Sequence, residues 1–232
     1  MLMQKDTARG LKSRNVKWMV GVLLLDIIVI FTLAFPAQVE EINLTTMAAL
    51  RLTLSAALPF LAILFSTLIT SNLKAITVFW RFKNPLPGSR AFSIYAAQDA
   101  RIDINALRKN VGTFPSDARE QNVKWYKLYK LVESEKSVED SQSNFLLFRE
   151  VASSSLLLLV IVPATLFAMD FSNAEIKKVF FLFIIQYFLT AVAAKNCGIR
   201  FVQSVLAIHA ARKVAGAKPT AARRTTTSNP LT

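Results

Sequence analysis

The sequence predicts an all-α membrane protein: four transmembrane helices, paired as two hairpins, flank a mostly helical cytoplasmic domain. Three observations predict it. Apolar residues make up 53% of the 232 and mean hydropathy is +0.39, yet the formal net charge is +13. Soluble domains seldom combine these, whereas membrane proteins with basic cytoplasmic parts do so as a rule. Four apolar runs fall in two pairs on either side of a polar middle. The Lys and Arg side chains gather in the segments that two outward-pointing hairpins would leave on one side.

Residues 1–17 form a basic N-terminus with Lys5, Arg9, Lys12, Arg14 and Lys17 against the single acid Asp6. The first hairpin occupies 18–71. Its first run, Trp18 to Phe35, is broken only by Asp26 and spans about 27 Å as a helix. A signal peptide is the rival reading, but Val20 to Phe35 is long for its apolar core and no A-x-A site follows, so the run reads as retained. Pro36 ends it, and the loop 37–47 carries Glu40 and Glu41 but no Lys or Arg. The second run starts near Met47, holds Arg51 in its first turns, and is free of charge from Leu52 to Thr70 with Pro59 inside. Arg51 reads as an interfacial residue that snorkels or pairs with Glu40 or Glu41.

The cytoplasmic domain is 72–148, with twelve basic and eight acidic side chains. Trp80, Arg81, Phe82 and Lys83 suit a membrane interface. Asn84-Pro85-Leu86-Pro87-Gly88 breaks the helix, and Ser89 to Tyr95 is either a short helix or extended. Asp103 is an N-cap for Ile104–Val111 with Gly112 at C′. Asp117 with Glu120 makes a capping box for a helix from 118 to about 135. The polar stretch from Glu133 to Asn144 leads into the next span as helix or linker. The second hairpin is 149–198. Its first run, Val151 to Met169, contains Pro163; after a turn at Asp170 to Lys178, a Phe-rich run extends from Val179 to Ala194. The remainder, 199–232, reads as an amphipathic helix over 199–215 and a disordered tail.

Counting cations fixes the predicted topology. Five lie at 1–17, twelve at 72–148, then Arg149, and seven from Lys195 onward; the opposite side holds only Arg51, Lys177 and Lys178. That asymmetry predicts an inner-membrane protein with both termini in the cytoplasm.

Catalysis has no visible residues to carry it. Cys197 and His209 stand alone, which excludes an internal disulfide, cysteine-rich zinc sites and paired-histidine metal motifs. Each reads as packing rather than as a ligand or nucleophile, and no cofactor is expected. The polar candidates are intramembrane. Asp26 near the middle of a span must face the bundle and be paired or protonated, because an ionised acid facing lipid costs several kcal/mol. It is either a gating acid or a packing residue bonded to Gln186 in the fourth run. Pro59 and Pro163 are candidate kinks.

The partner-binding candidates lie in FPSDAREQNVKWYKLYK, residues 114–130. Lys124, Trp125, Tyr126, Lys127, Tyr129 and Lys130 could stack and neutralise single-stranded nucleic acid. Alternatively the aromatics are core, with Trp125, Leu128, Tyr129 and Val132 on one face and the lysines turned to water or anionic headgroups. The PLPGSR turn could hold phosphate through backbone N–H groups and Arg90, although it lacks the P-loop Lys-Ser/Thr pair.

Two hairpins around RFKNPLPGSRAFS (81–93) and PSDAREQNVKWYKLYK (115–130) resemble small bacterial transmembrane effectors of anti-phage defence, in particular the transmembrane protein encoded with a retron. Four spans depart from the two that related effector modules often have. The resemblance implies a non-enzymatic effector that damages the inner membrane of infected cells (abortive infection). It also implies membrane lipids, further copies of the chain, and a reverse transcriptase with its non-coding RNA, or another defence partner, as interactors. The alternative is a membrane-anchored scaffold whose cytoplasmic domain binds RNA or protein.

Overall fold

The computed structural model describes residues 17–22, 24–28, 30, 32, 53, 57 and 69–212. It is all-helical among these residues, as the composition predicts. Nearly all of the second apolar run, including Pro59 and Arg51, lies outside them, as do the first loop and the C-terminal tail.

The described helices are α1 (Ser71–Phe79), α2 (Ile104–Val111), α3 (Ala118–Lys130), α4 (Lys136–Ala168) and α5 (Asn173–Ala211), preceded by helical residues at 17–22, 24–28, 30 and 32 that are called the N-terminal helix. Helices α4 and α5 dominate. At 33 and 39 residues they are about 50 and 58 Å long, and they pack along each other as an antiparallel hairpin. Asp170 makes the turn in the left-handed region (φ 58°), which Asp tolerates. Ser172 and Glu175 then form a reciprocal capping box at the start of α5, with bonds of 3.3 and 3.0 Å.

Each long helix has two halves of different character. Towards the Asp170 turn, the side chains that meet are Leu158, Val162 and Leu166 against Val179 and Phe183, with Ile30 of the N-terminal helix packed on them. Many others on the same turns are exposed, among them Phe167 at 73%, Leu189 at 68% and Phe181 at 60%. The polar halves instead hold the central segment. Ala152, Ala191, Ala194 and Gly198 allow close approach. A Cβ on Gly198 would come within 2.8 Å of Phe79 and 3.0 Å of Phe145, so the crossing of α1, α4 and α5 requires glycine there.

The helix boundaries differ from the sequence reading in two places. Helix α3 stops at Lys130 rather than near 135; α4 begins at Lys136, so of the two readings of the Glu133 to Asn144 stretch it is the helix that is found from Lys136 onward. The fourth run and the expected amphipathic helix are one uninterrupted element, because no Pro or left-handed residue divides 195–211. The boundaries at 148/149 and 198/199 therefore cut through continuous helices. Pro163 lies within α4, which continues past it.

Asp103 and Asp117 cap their helices as expected, but at α3 only the Asp117 half of the expected capping box forms among the described bonds. Asp103 accepts from the N–H groups of Asn105 and Ala106, and Asp117 from those of Arg119 and Glu120. Gly112 takes φ +79°. The 89–95 stretch is helical: a 3-10 turn over Pro87–Arg90 leads into a π turn over Ala91–Tyr95.

Candidate functional site

Two places concentrate polar chemistry. The first is inside the apolar half. Asp26 is only 4% exposed, and Gln186 Nε2 donates to its Oδ1 at 2.9 Å. The pair links the N-terminal helix to α5. Beside it, an apolar groove of about 680 Å³ runs between Trp18 and Leu25 on one side and Phe148, Ile185 and Leu189 on the other. Trp18 shares this groove with Asn144 and Phe148, while Ile30 packs with Leu158 and Val162. The N-terminal helix therefore runs in the same direction as α4, and Lys17 lies at the end of the hairpin that holds the central segment.

The second place is the junction between the two halves. Lys74 of α1, 5% exposed, pairs with Glu150 of α4, whose other oxygen accepts from Arg149 Nη2 at 2.9 Å. Trp80 closes α1 in a left-handed conformation (φ 51°), which costs a non-glycine residue about 1–3 kcal/mol. Its partners offset this. Its Nε1 donates to Tyr187 Oη at 3.2 Å, and Lys195 Nζ stands 5.3 Å over its ring. Tyr187 in turn donates to Thr77 O at 2.7 Å. Sequence reasoning missed this junction, since Lys74 and Glu150 are 76 residues apart and nothing local marks them as partners.

The 114–130 stretch divides by helical face. Trp125 and Tyr129 point inward and stack on each other, and both meet Phe201 edge-on at 5.1 and 5.2 Å. They are core. Burial and the nearby Glu133 raise the Tyr129 phenol above its ordinary pKa. Lys124 is half-buried, 5.8 Å over Phe92, and donates to Thr113 O, so it serves the fold; burial lowers its pKa. Tyr126, Lys127 and Lys130 remain outward, with Lys130 Nζ 5.9 Å over Tyr126 and paired to Glu133 at 2.7 Å. His209 Nε2 donates to Leu128 O at 3.0 Å and is kept from charging by burial, a packing role.

The PLPGSR turn is built against α3. A Cβ on Gly88 would lie 2.5 Å from Asn122 Oδ1 and 2.7 Å from Trp125 Cε3. Gln121, also buried, accepts through Oε1 from the N–H groups of Phe92 and Ser93 and from the Ser93 hydroxyl. Backbone N–H groups of the turn are already used, Ser89 bonding Leu86 O and Ala91 bonding Gly88 O. A backbone phosphate cradle is thus not what this glycine provides. Gly88→Ala is expected to cost about 1–3 kcal/mol by overpacking, read as a lower melting temperature in detergent micelles; an unchanged melt would show that the contact gives way freely.

No family model, curated protein or solved structure matches this chain.

Among the described residues no cluster of His, Cys, Asp and Glu could hold a metal ion. Two arrangements stand out chemically among the described residues: Asp26 can change its protonation or pairing among apolar side chains, and the Lys74–Glu150 junction can pass strain between α1 and α4.

Proposed function

We propose that the chain is a multi-pass inner-membrane effector of a bacterial antiviral system, with its termini and central segment in the cytoplasm, that perturbs the membrane of infected cells. Membrane embedding is supported by the two long helices, whose most apolar windows are only 39% and 22% buried within the fold. A soluble core helix would cover that surface. Gln186 lies eight residues from Lys178 and nine from Lys195, about 12 and 14 Å along the helix, which puts the Asp26–Gln186 pair near mid-depth. The antiviral setting rests on the resemblance in layout.

The observation that carries the effector reading is the Asp26–Gln186 pair. An acid held by a single amide between two helices is a polar connection that can open, and apolar packing alone offers nothing comparable. The four spans per chain enclose little water, so a permeation path requires several copies. Leucine at Asp26 removes one intramembrane hydrogen bond, worth about 0.6–2 kcal/mol, too little to unfold the bundle. Asp26→Leu and Gln186→Leu are therefore expected to insert normally yet abolish dye uptake and loss of membrane potential after induced expression. A wild-type chain that leaves the potential intact under triggering conditions would sink the reading.

The scaffold reading is favoured by one feature, the outward row of Tyr126, Lys127 and Lys130 on α3. Such a row suits an anionic partner, an RNA–reverse transcriptase complex included. Exchanging the membrane helices for an unrelated anchor separates the readings, because only a scaffold would keep its activity.

A further inference from the structure

Arg90 is the one strongly buried cation whose charge the fold leaves unanswered among the described residues. It is 8% exposed. Its guanidinium lies 5.9 Å from the Phe79 ring centroid and 5.7 Å from that of Tyr95, and its Nε donates to Tyr95 Oη at 3.2 Å. No carboxylate pairs with it: the ion pairs of the described residues involve Lys74, Arg101, Lys130 and Arg149. Lys74, equally buried, shows the contrast, since Glu150 answers it directly.

Two rings and a phenol hydroxyl recover part of the cost of taking a guanidinium out of water, but they supply no negative charge. The four N–H groups on its terminal nitrogens have no acceptor among the described residues. Ser89, its neighbour on the same 3-10 turn, is 3% exposed. The rigid parts of this region hold both in place: Gly88 sits against Trp125, and Gln121 fixes the backbone just beyond. A planar fork with free donors, fixed in position and partly desolvated, matches a tetrahedral oxyanion better than it matches water.

We propose that Arg90 is the anchor of a binding site for a phosphate group, taken from an anionic lipid headgroup or from a soluble phosphate compound. The site is made by side chains, because the turn's N–H groups of Ser89 and Ala91 are committed to Leu86 and Gly88 carbonyls. It does not depend on the effector reading, and a failure of one leaves the other standing.

The test uses the full chain in nanodiscs. Melting is followed in phosphatidylcholine discs with rising inorganic phosphate, and separately in discs containing phosphatidylglycerol. Modification of Arg90 by phenylglyoxal, mapped by mass spectrometry, is measured under the same conditions. A phosphate-dependent rise in melting temperature, with Arg90 protected severalfold, assigns a soluble ligand. The same response only in phosphatidylglycerol discs assigns the headgroup. Arg90→Lys keeps the charge but loses the fork, and is expected to weaken the response on the order of tenfold. Should that variant fail to fold, the modification of wild-type Arg90 still decides. No response to either probe, or an Arg90 modified at one rate throughout, overturns the site.

Discussion

Replacing Trp125 with alanine is expected to cost about 3–5 kcal/mol of stability, the usual range for truncating a buried Trp. The ring is 6% exposed and lies in the middle of the core that the central segment forms with α4 and α5. It stacks on Tyr129 with centroids 5.8 Å apart, meets Phe201 at right angles, and takes Gly88 against its face. Its loss therefore empties the contact between α3, the 3-10 turn and α5 at once. Trp125→Phe should cost much less. Nε1 of Trp125 is buried without a hydrogen-bond partner, so phenylalanine gives up area but also removes an unsatisfied donor, itself worth about 1–3 kcal/mol. Tyr126→Ala, one residue away on the outer face, should stay within about 0.5 kcal/mol. Thermal unfolding in detergent micelles, followed by circular dichroism, ranks the three. If Tyr126→Ala destabilised as much as Trp125→Ala, the division of this helix into a core face and an outer face would be wrong.

This helix shows how far the sequence could be read. Its start was legible because Asp117 is a local signal, and its inner face because Trp125, Leu128, Tyr129 and Val132 recur at helical spacing. Its function was less so. Interleaved Lys and aromatic residues fit a ligand platform and an amphipathic core helix equally well, and only Phe201, 76 positions away, shows where the rings point. The Asp26–Gln186 bond was reachable for a different reason: a polar group inside an apolar run has few possible partners, and Gln186 lies at the same depth. The length of α5 was not, since a switch from exposed apolar residues to core-facing ones near Lys195 looks like an element boundary. The helix simply leaves one environment and enters another. At Gly88 the sequence showed a turn that could hold phosphate but lacks the P-loop Lys-Ser/Thr pair, while the demand on the glycine comes from Asn122 and Trp125 across the core.

Neutralising Glu150 is the second large effect, and its pattern identifies the junction. Glu150→Gln should cost about 3–5 kcal/mol, because the shared acid answers both Lys74 and Arg149 and its loss strands two cations, one of them 5% exposed. Lys74→Met should cost less, since Glu150 keeps Arg149 at 2.9 Å and the methionine stem still fills the space. The double variant should fall between Lys74→Met and Glu150→Gln, because the methionine leaves no buried ammonium to be stranded while Arg149 still loses its partner. Such a cycle isolates the coupling from packing. Equal costs for the two single changes would mean that water reaches Lys74 and the pair is only a surface contact. The junction also bears on how a signal could reach the membrane. Helix α1 follows the second apolar run directly in sequence, and its described ties to α4 and α5 pass through Lys74, Phe79 and the Thr77–Trp80–Tyr187 bonds. A displacement of the core around Trp125 must move that helix or break those ties, and Tyr187 is the immediate neighbour of Gln186. On the proposed effector reading, Glu150→Gln should therefore uncouple membrane damage from its trigger while leaving Asp26 and Gln186 intact, whereas Asp26→Leu should abolish damage whatever the trigger does.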